Sequence, residues 1–198
     1  MDFWDTINLF QIERIEKWHN HTPNSEESGL LGLIEQNHLQ NFLLWHEEDK
    51  ARNPVASDQE IAQVKRNIDA LNQKRNDLIE QIDEAILEWM KNESIKMPED
   101  APSNSETPGN IIDRSSIMAL KIVHMKEQTT RSDVGQEHVE ATAGKLRVLQ
   151  LQRKDLLDCL SRLISDIKSG CRKFKVYRQF KMYNDPSLNP KIYKTKNQ

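Results

Sequence analysis

Apolar residues recur along most of this chain at the three-then-four spacing of an amphipathic helix, and most of these runs end in a recognisable stop. Trp4, Ile7, Gln11, Ile15 and Trp18 mark one face of a first helix, from Asp2 to about His19, which closes in the turn residues Asn20 to Ser25. A second helix runs from about Leu30 to Arg52 and stops at Asn53-Pro54, because the residue before a proline is pushed out of the α region. Ser57 with Glu60 three residues on is a capping-box signature. It opens a third helix over about Asp58 to Lys91, roughly 50 Å long at the usual rise, with Ile61, Val64, Ile68, Leu71, Arg75, Leu78, Ile82, Ile86 and Trp89 in line. The proline- and serine-rich segment 97–110 reads as a loop. A fourth helix follows over about Asp113 to Arg131, with Ile117, Leu120, His124 and Glu127 in line. A fifth starts near Gly135 and reaches Ser169, with Gly170 as a left-handed stop. Its line is Val139, Thr142, Leu146, Leu149, Arg153, Leu156, Leu160, Leu163 and Ile167.

The buried lines are broken by polar residues in a repeated way. In the second helix the stripe of Leu39 and Phe42 runs into His46 and Asp49, and in the third Arg75 sits among leucines and isoleucines. At an offset of 78 residues His46 falls on His124, Asp49 on Glu127, Arg75 on Arg153 and Asp77 on Asp155. Apolar matches such as Phe42 on Leu120 and Ile68 on Leu146 carry little weight alone, since any two amphipathic helices slide into register; the polar interruptions carry more. The pattern predicts an all-α fold: a duplicated helical hairpin forming a four-helix bundle, with an extra N-terminal helix and a basic C-terminal tail. One helical domain is expected over 1–170, with repeat halves at about 30–91 and 113–169, the loop 97–110 between them, and a tail over 171–198.

Composition agrees with a helical chain. Charged residues make up 30% and aromatics 6% of the 198 residues. The net charge of −3 conceals a split: residues 171–198 carry eight Lys/Arg and one acid, a net +7, and the first 170 residues carry −10. Cys159 and Cys171 form neither a disulfide framework nor a metal-type spacing. No signal-peptide pattern opens the chain and no apolar run approaches a membrane span, so a soluble cytoplasmic protein is expected.

His46, Asp49, Arg75, His124, Glu127 and Arg153 are the candidate site, since inward-facing charges must be paired and a two-fold bundle would bring all six to one central layer. The bland reading is a buried salt-bridge layer that fixes helix register. A second is an anion site, because two arginine forks suit phosphate or carboxylate. A third is a di-metal site, from His46-x-x-Asp49 and His124-x-x-Glu127; arginines stand where such a site needs carboxylates, so no metal is expected. Glu35-x-x-His38 reads as surface chemistry. Asp69, Asn72 and Asn76, with Asp83, form a polar stripe beside the buried line and are secondary ligand candidates. Glu47, Glu48 and the pair Glu80-x-x-Asp83 resemble the acidic helices of magnesium-dependent all-α nucleotide pyrophosphatases, although Ala51 stands where a third glutamate belongs. No glycine-rich phosphate loop, nucleophile triad or zinc motif occurs, so no catalytic residue is assigned. In the tail, Phe174, Tyr177, Phe180 and Tyr183 alternate with Lys173, Lys175, Arg178 and Lys181. The favoured reading packs the rings on the bundle and leaves the lysines in water; a nucleic-acid partner is not favoured.

The stretches Phe42 to Arg52, Ile68 to Asp77 and Met182 to Pro190, together with Ala119 to Met125, resemble an uncharacterised bacterial family catalogued only as a domain of unknown function. Its members are often encoded beside glycosyltransferases of lipopolysaccharide-core or surface-polysaccharide synthesis. The resemblance implies a role near envelope glycan assembly and carries over no catalytic residue. The expectation is a cytoplasmic accessory or ligand-binding protein for that synthesis, recognising a phosphorylated or nucleotide-linked sugar, with a glycosyltransferase as possible partner and no cofactor. The alternative is a magnesium-dependent hydrolase of nucleotide-like substrates.

Overall fold

The computed structural model describes residues 3–194, with five long helices in the order the periodicity predicts, α1 Phe3–Asn20, α2 Gly29–Ala51, α3 Asp58–Asn92, α4 Pro108–Thr129 and α5 Gln136–Lys168, and a single turn, α6 Pro190–Tyr193, that the periodicity does not announce. No extended strand forms among the described residues; one parallel bridge joins Ser103 to Lys173. Ser57 starts α3 with the full capping box, its side chain accepting from Glu60 N–H while the Glu60 carboxylate accepts from Ser57 N–H. The fourth helix begins earlier than the loop reading of 97–110 and the start at Asp113 predict. Pro108 is its first residue and Thr107 its cap, because proline at the first helical position gives up only an N–H that would be unpaired there anyway.

The most extensive packing is of α2 along α3 and of α4 along α5. Helix α4 also touches α1, α2 and α3, and α1 lies against α4, α5 and α2. Two apolar clusters result. One joins Trp4 and Ile7 of α1 to Ile34, Ile82, Ile86, Met90, Ile112, Leu160, Leu163 and Ile167 and takes in Phe174. The other is smaller: Ile15, Trp18, Phe42, Ala119 and Leu120. The helix segments that carry neither cluster bury polar side chains instead: Gln11, Asn37, His38, Asn41, Asp113, Ser115, Ser116 and Arg153 are all buried.

Two polar contacts fix how chain segments meet. Glu35, read from sequence as surface, is fully buried. Its carboxylate accepts from Ser25 Oγ and from the N–H groups of Glu26 and Glu27 at 2.7–2.9 Å, and it faces Arg14 Nε at 2.6 Å. It thereby ties the α1–α2 connection to both helices, which no helical periodicity announces. The buried Asp83 carboxylate accepts from Gly109 N–H at 2.7 Å, placing an acid at the positive end of α4. A Cβ at Gly109 would stand 2.6 Å from the Ile79 carbonyl oxygen and 2.9 Å from the Asp83 carboxylate, so glycine is what lets α4 approach α3.

The tail differs from its predicted packing. Phe174 is buried, but Tyr177, Phe180 and Tyr183 are 48%, 79% and 61% exposed. The segment is held by its cations and amides: Arg178 pairs with Glu80 and Glu84, Gln179 N–H donates to Glu80 at 2.9 Å, and Lys181 donates to the Asn72 carbonyl at 3.1 Å. The strip of α3 it crosses is polar and acidic, so charge rather than apolar contact seats it and the rings stay in water.

Gly109→Ala is expected to lower stability by about 1–3 kcal/mol, the usual range for overpacking, with far-UV dichroism unchanged. Urea denaturation of the two proteins checks it.

Candidate functional site

A hydrogen-bond network crosses the interior from α3 to α5, and His38 is its centre. His38 is fully buried. One ring nitrogen, Nε2, lies 2.8 Å from the Gln11 carbonyl oxygen, and since a carbonyl only accepts, the proton sits on Nε2. Nδ1 therefore accepts from Ser116 Oγ at 2.6 Å. Ser116 Oγ accepts in turn from Asn41 Nδ2 at 2.9 Å. Asn41 and Asn37 both donate to Asp113, at 2.9 and 3.1 Å, and Arg75 Nε faces the same carboxylate oxygen at 3.4 Å. On the other side, Gln11 donates to the Ile112 carbonyl at 3.3 Å, and its Oε1 accepts from Ser115 Oγ and Arg153, each at 3.0 Å. Burial holds His38 neutral by pushing its pKa down to about 3.

The two arginines at the ends of this network differ. Arg153 is buried and saturated: it donates to the Ser115 carbonyl at 3.1 Å, to the Asn8 carbonyl at 3.0 Å, to Asn8 Oδ1 and to Gln11 Oε1. Burial lowers its pKa to about 10, which leaves it charged at neutral pH. Arg75 keeps a 26% exposed side chain and donates to Asn72 Oδ1 at 3.3 Å. It lines a cleft of about 410 Å³ with Asn41, Trp45, Glu48, Asp49, Arg52 and Asn72. Arg52 is turned back onto Glu48, whereas Asp49 is exposed. Lys181 comes from the tail to the Asn72 carbonyl; its pKa is lowered by burial and then by the neighbouring charge of Arg75.

Of the six predicted site residues, the structure brings only Asp49 and Arg75 to one cleft. Arg153 serves the interior beneath α1. His46 and His124 meet elsewhere, with ring centres 6.0 Å apart, and Glu127 is an exposed neighbour of His124 at 3.2 Å. The single central layer of six does not form, because the interior positions it needs are filled by Gln11, Asn37, His38, Asn41, Asp113 and Ser116. Among the secondary candidates Asn72 lines the cleft, Asp69 is paired with Lys65, and Asn76 is half-buried on α3. Sequence reasoning misses the network because amide and hydroxyl side chains read as helix surface, and Glu35-x-x-His38 goes to that surface with them. A signal exists all the same: Gln11, His38 and Asn41 all fall on or beside apolar stripes.

A second cleft, about 890 Å³, opens between α1, α4 and α5. Five residues of the first cleft, Leu44, Trp45, Glu48, Asn72 and Arg75, fall at the 78-residue offset on Ile122, Val123, Lys126, Gln150 and Arg153, and all five of these line the second. Helix α1 forms a wall of that cleft through Trp4, Asn8, Ile12 and Glu16. The acids that resemble those of pyrophosphatase helices are separately engaged: Glu47 by Lys50 and Asn67, Glu48 by Arg52, Glu80 by Arg178 and Asp83 by Gly109. No group of three His, Cys, Asp or Glu side chains is arranged to hold a metal ion among the described residues, and no described helix is long and apolar enough to cross a membrane.

A family model described as "Protein of unknown function (DUF4254)" matches residues 31–176, and the chain belongs to that family. The match takes in α2 to α5, both clefts' arginines and the first residues of the tail. No curated protein and no solved structure matches.

Removing Arg153 deletes a buried side chain and its four hydrogen bonds to α1 and α4, whereas removing the partly exposed Arg75 leaves Asp113 held by two asparagines. Arg153→Ala is expected to cost about 3–5 kcal/mol and Arg75→Ala about 1–2 kcal/mol in chemical denaturation.

Two buried groups oppose each other in acid. The lowered pKa of His38 means the unfolded chain takes up the proton first, so its stability contribution is full above about pH 6.5 and is lost as pH falls towards 3. Burial raises the pKa of Asp83 to about 6, so stability is regained as pH falls through that value. Between pH 7 and 5 the first effect is a loss of about 2 kcal/mol and the second a gain of about 1 kcal/mol. Asp83→Asn is therefore expected to deepen the acid loss and His38→Gln to turn it into a gain of about 1 kcal/mol, read as urea midpoints at both pH values.

Proposed function

We propose that this chain is a binding protein for a phosphorylated or nucleotide-linked sugar, a cytoplasmic accessory to cell-surface polysaccharide or lipopolysaccharide synthesis, and that the cleft at Arg75 is its site. The observation that carries this reading is a second cation close to the cleft's arginine: Arg75 lines the cleft with Asp113 facing it at 3.4 Å, and Lys181 reaches the carbonyl of the lining residue Asn72, where Arg75 disfavours its charge and Asp77 and Asp69 favour it. A phosphate there would be held by a guanidinium fork and an ammonium. Trp45 offers an apolar ring, and Asn72 and the carboxylate of Asp49 offer partners for hydroxyl groups, the mixture that small-ligand clefts use.

The duplicated hairpin, taken as the origin of the four long helices α2 to α5, supports the same assignment. In the second half the donors of Arg153 are consumed by Asn8, Gln11 and Ser115; in the first half the counterpart Arg75 retains exposed guanidinium. One half has become a seat for α1, and the other keeps its arginine for a ligand. The family's unknown function leaves the glycan context resting on the resemblance set out above.

The test is titration calorimetry with glucose 1-phosphate and UDP-glucose at low salt. Binding is expected, with Arg75→Ala and Lys181→Ala each weakening it at least about tenfold, the loss of one charge-assisted contact. Affinity unchanged from the parent protein in either variant, or no binding by either compound, overturns the assignment. Turnover of either compound on adding magnesium, absent without it, would instead support the hydrolase alternative.

A further inference from the structure

We infer that His19, His46 and His124 form a proton-binding cluster that sets the position of Trp45 and the hold of the bundle on the end of α1. The three residues come from three helices: His19 lies in the last turn of α1, His46 near the end of α2, and His124 towards the end of α4. Their rings meet edge to face, with centres 5.4 Å apart for His19 and His46, 5.3 Å for His19 and His124 and 6.0 Å for His46 and His124. Phe42 packs beneath His19 and His46 at 5.1 and 4.6 Å. His124 is also stacked on Trp45, centres 4.6 Å apart and planes within 9°. Its Nε2 is buried without a hydrogen-bond partner.

Such an arrangement suits neutral imidazoles, which pack as flat, half-apolar rings. It does not suit two imidazolium ions, which would stand within about 6 Å of one another over a phenyl ring. The other charges acting on the cluster are few. Glu127 on α4 faces His124 and acts on His19; Asp49 and Lys50 on α2 act on His46, and Lys50 opposes its protonation. Two carboxylates, both exposed, thus stand against three imidazoles and a lysine. Burial and the neighbouring rings hold the pKa values of His19 and His46 below the ordinary histidine range.

The two consequences differ in place. His19 is exposed at a helix end, so it relieves repulsion by swinging outward, and the last turn of α1 loosens with it. His124 is fixed between Trp45 and Glu127, so a charge there acts on the indole through its face. Trp45 lines the Arg75 cleft, so the cleft wall responds to a charge taken up by the cluster. The inference stands without the ligand reading, since both consequences belong to the free protein.

The experiment uses the full chain labelled with nitrogen-15, the indole signal of Trp45 being assigned with Trp45→Phe. On going from about pH 8 to about pH 5.5 the Trp45 indole signal is expected to move with the same midpoint as the cluster's imidazole signals. Amide-exchange protection of the last turn of α1, corrected for intrinsic rate, should fall about tenfold. His19→Gln, at an exposed position, should abolish the loss in α1 and leave the Trp45 shift; His124→Gln should abolish the Trp45 shift. A Trp45 signal that stays constant while the protein remains folded overturns the inference, as does an α1 loss that persists in His19→Gln.

Discussion

Three helices are locked together through one neutral imidazole. His38 on α2 donates to the backbone of α1 at Gln11 and accepts from the side chain of α4 at Ser116. Both ring nitrogens are used, the Gln11 carbonyl fixing the proton on Nε2 and so leaving Nδ1 to accept from Ser116, and the ring is closed off from water. This fixes a single tautomer and so a direction for the whole chain of bonds: Asn41 donates to Ser116, Ser116 to His38, and His38 to Gln11. A directional network tolerates one register of α1, α2 and α4, whereas the isoleucine-rich cluster alone would accept small slides at little cost. The neutral state is a condition of the fold as well as a result of it. A second proton on His38 would force the Ser116 hydroxyl to turn away, and would place a charge where no carboxylate contacts the ring.

The same network explains why one arginine is spent on structure and the other is not. Arg153 is covered by α1, and every acceptor it meets is neutral: two backbone carbonyls and two side-chain amides. That is enough to satisfy hydrogen bonding but not to cancel the charge, and the lowered pKa records the difference. Arg75 has Asp113 for a neighbour, but Asp113 is already shared with Asn37 and Asn41. The arginine thus faces, at 3.4 Å, a carboxylate that is already used elsewhere, and part of its guanidinium is left facing the cleft.

Much of the architecture is legible in the sequence. The five long helices follow from the spacing of apolar residues, and Ser57, Pro54 and Gly170 mark ends that the structure keeps. The start of α4 is harder to place, because Pro108 reads as a breaker yet stands at the one helical position that welcomes it. The tail misleads for a different reason: its aromatic residues suggest burial, but burial depends on what they face, and α3 presents carboxylates there. The site is legible in its parts more than in its assembly. Arg75, Arg153, His46 and His124 stand out as polar interruptions of apolar lines, yet periodicity gives only the face a residue occupies. It does not say that Gln11 on α1 takes an acceptor's role for Arg153, nor that the histidines gather with His19 at one end.

Charge at the cleft runs against charge on the body. Arg75 stands over the buried carboxylate of Asp113 and Lys181 lies near Asp77 and Asp69, in a protein whose first 170 residues carry a net −10. The surrounding field therefore repels anions at long range, and steering cannot be what fills the cleft. Whatever holds an anion there acts within contact distance, where the partly buried cations are screened little by salt and the low local dielectric strengthens each bond. Under the proposed reading such a site would discriminate by fit: an anion that reached Arg75 and Lys181 together would gain from both, and one held off by Asp49 at the rim would gain from neither. The register that His38 imposes on α1, α2 and α4 reaches the cleft through Asn41 and Asp113, which lie beneath Arg75.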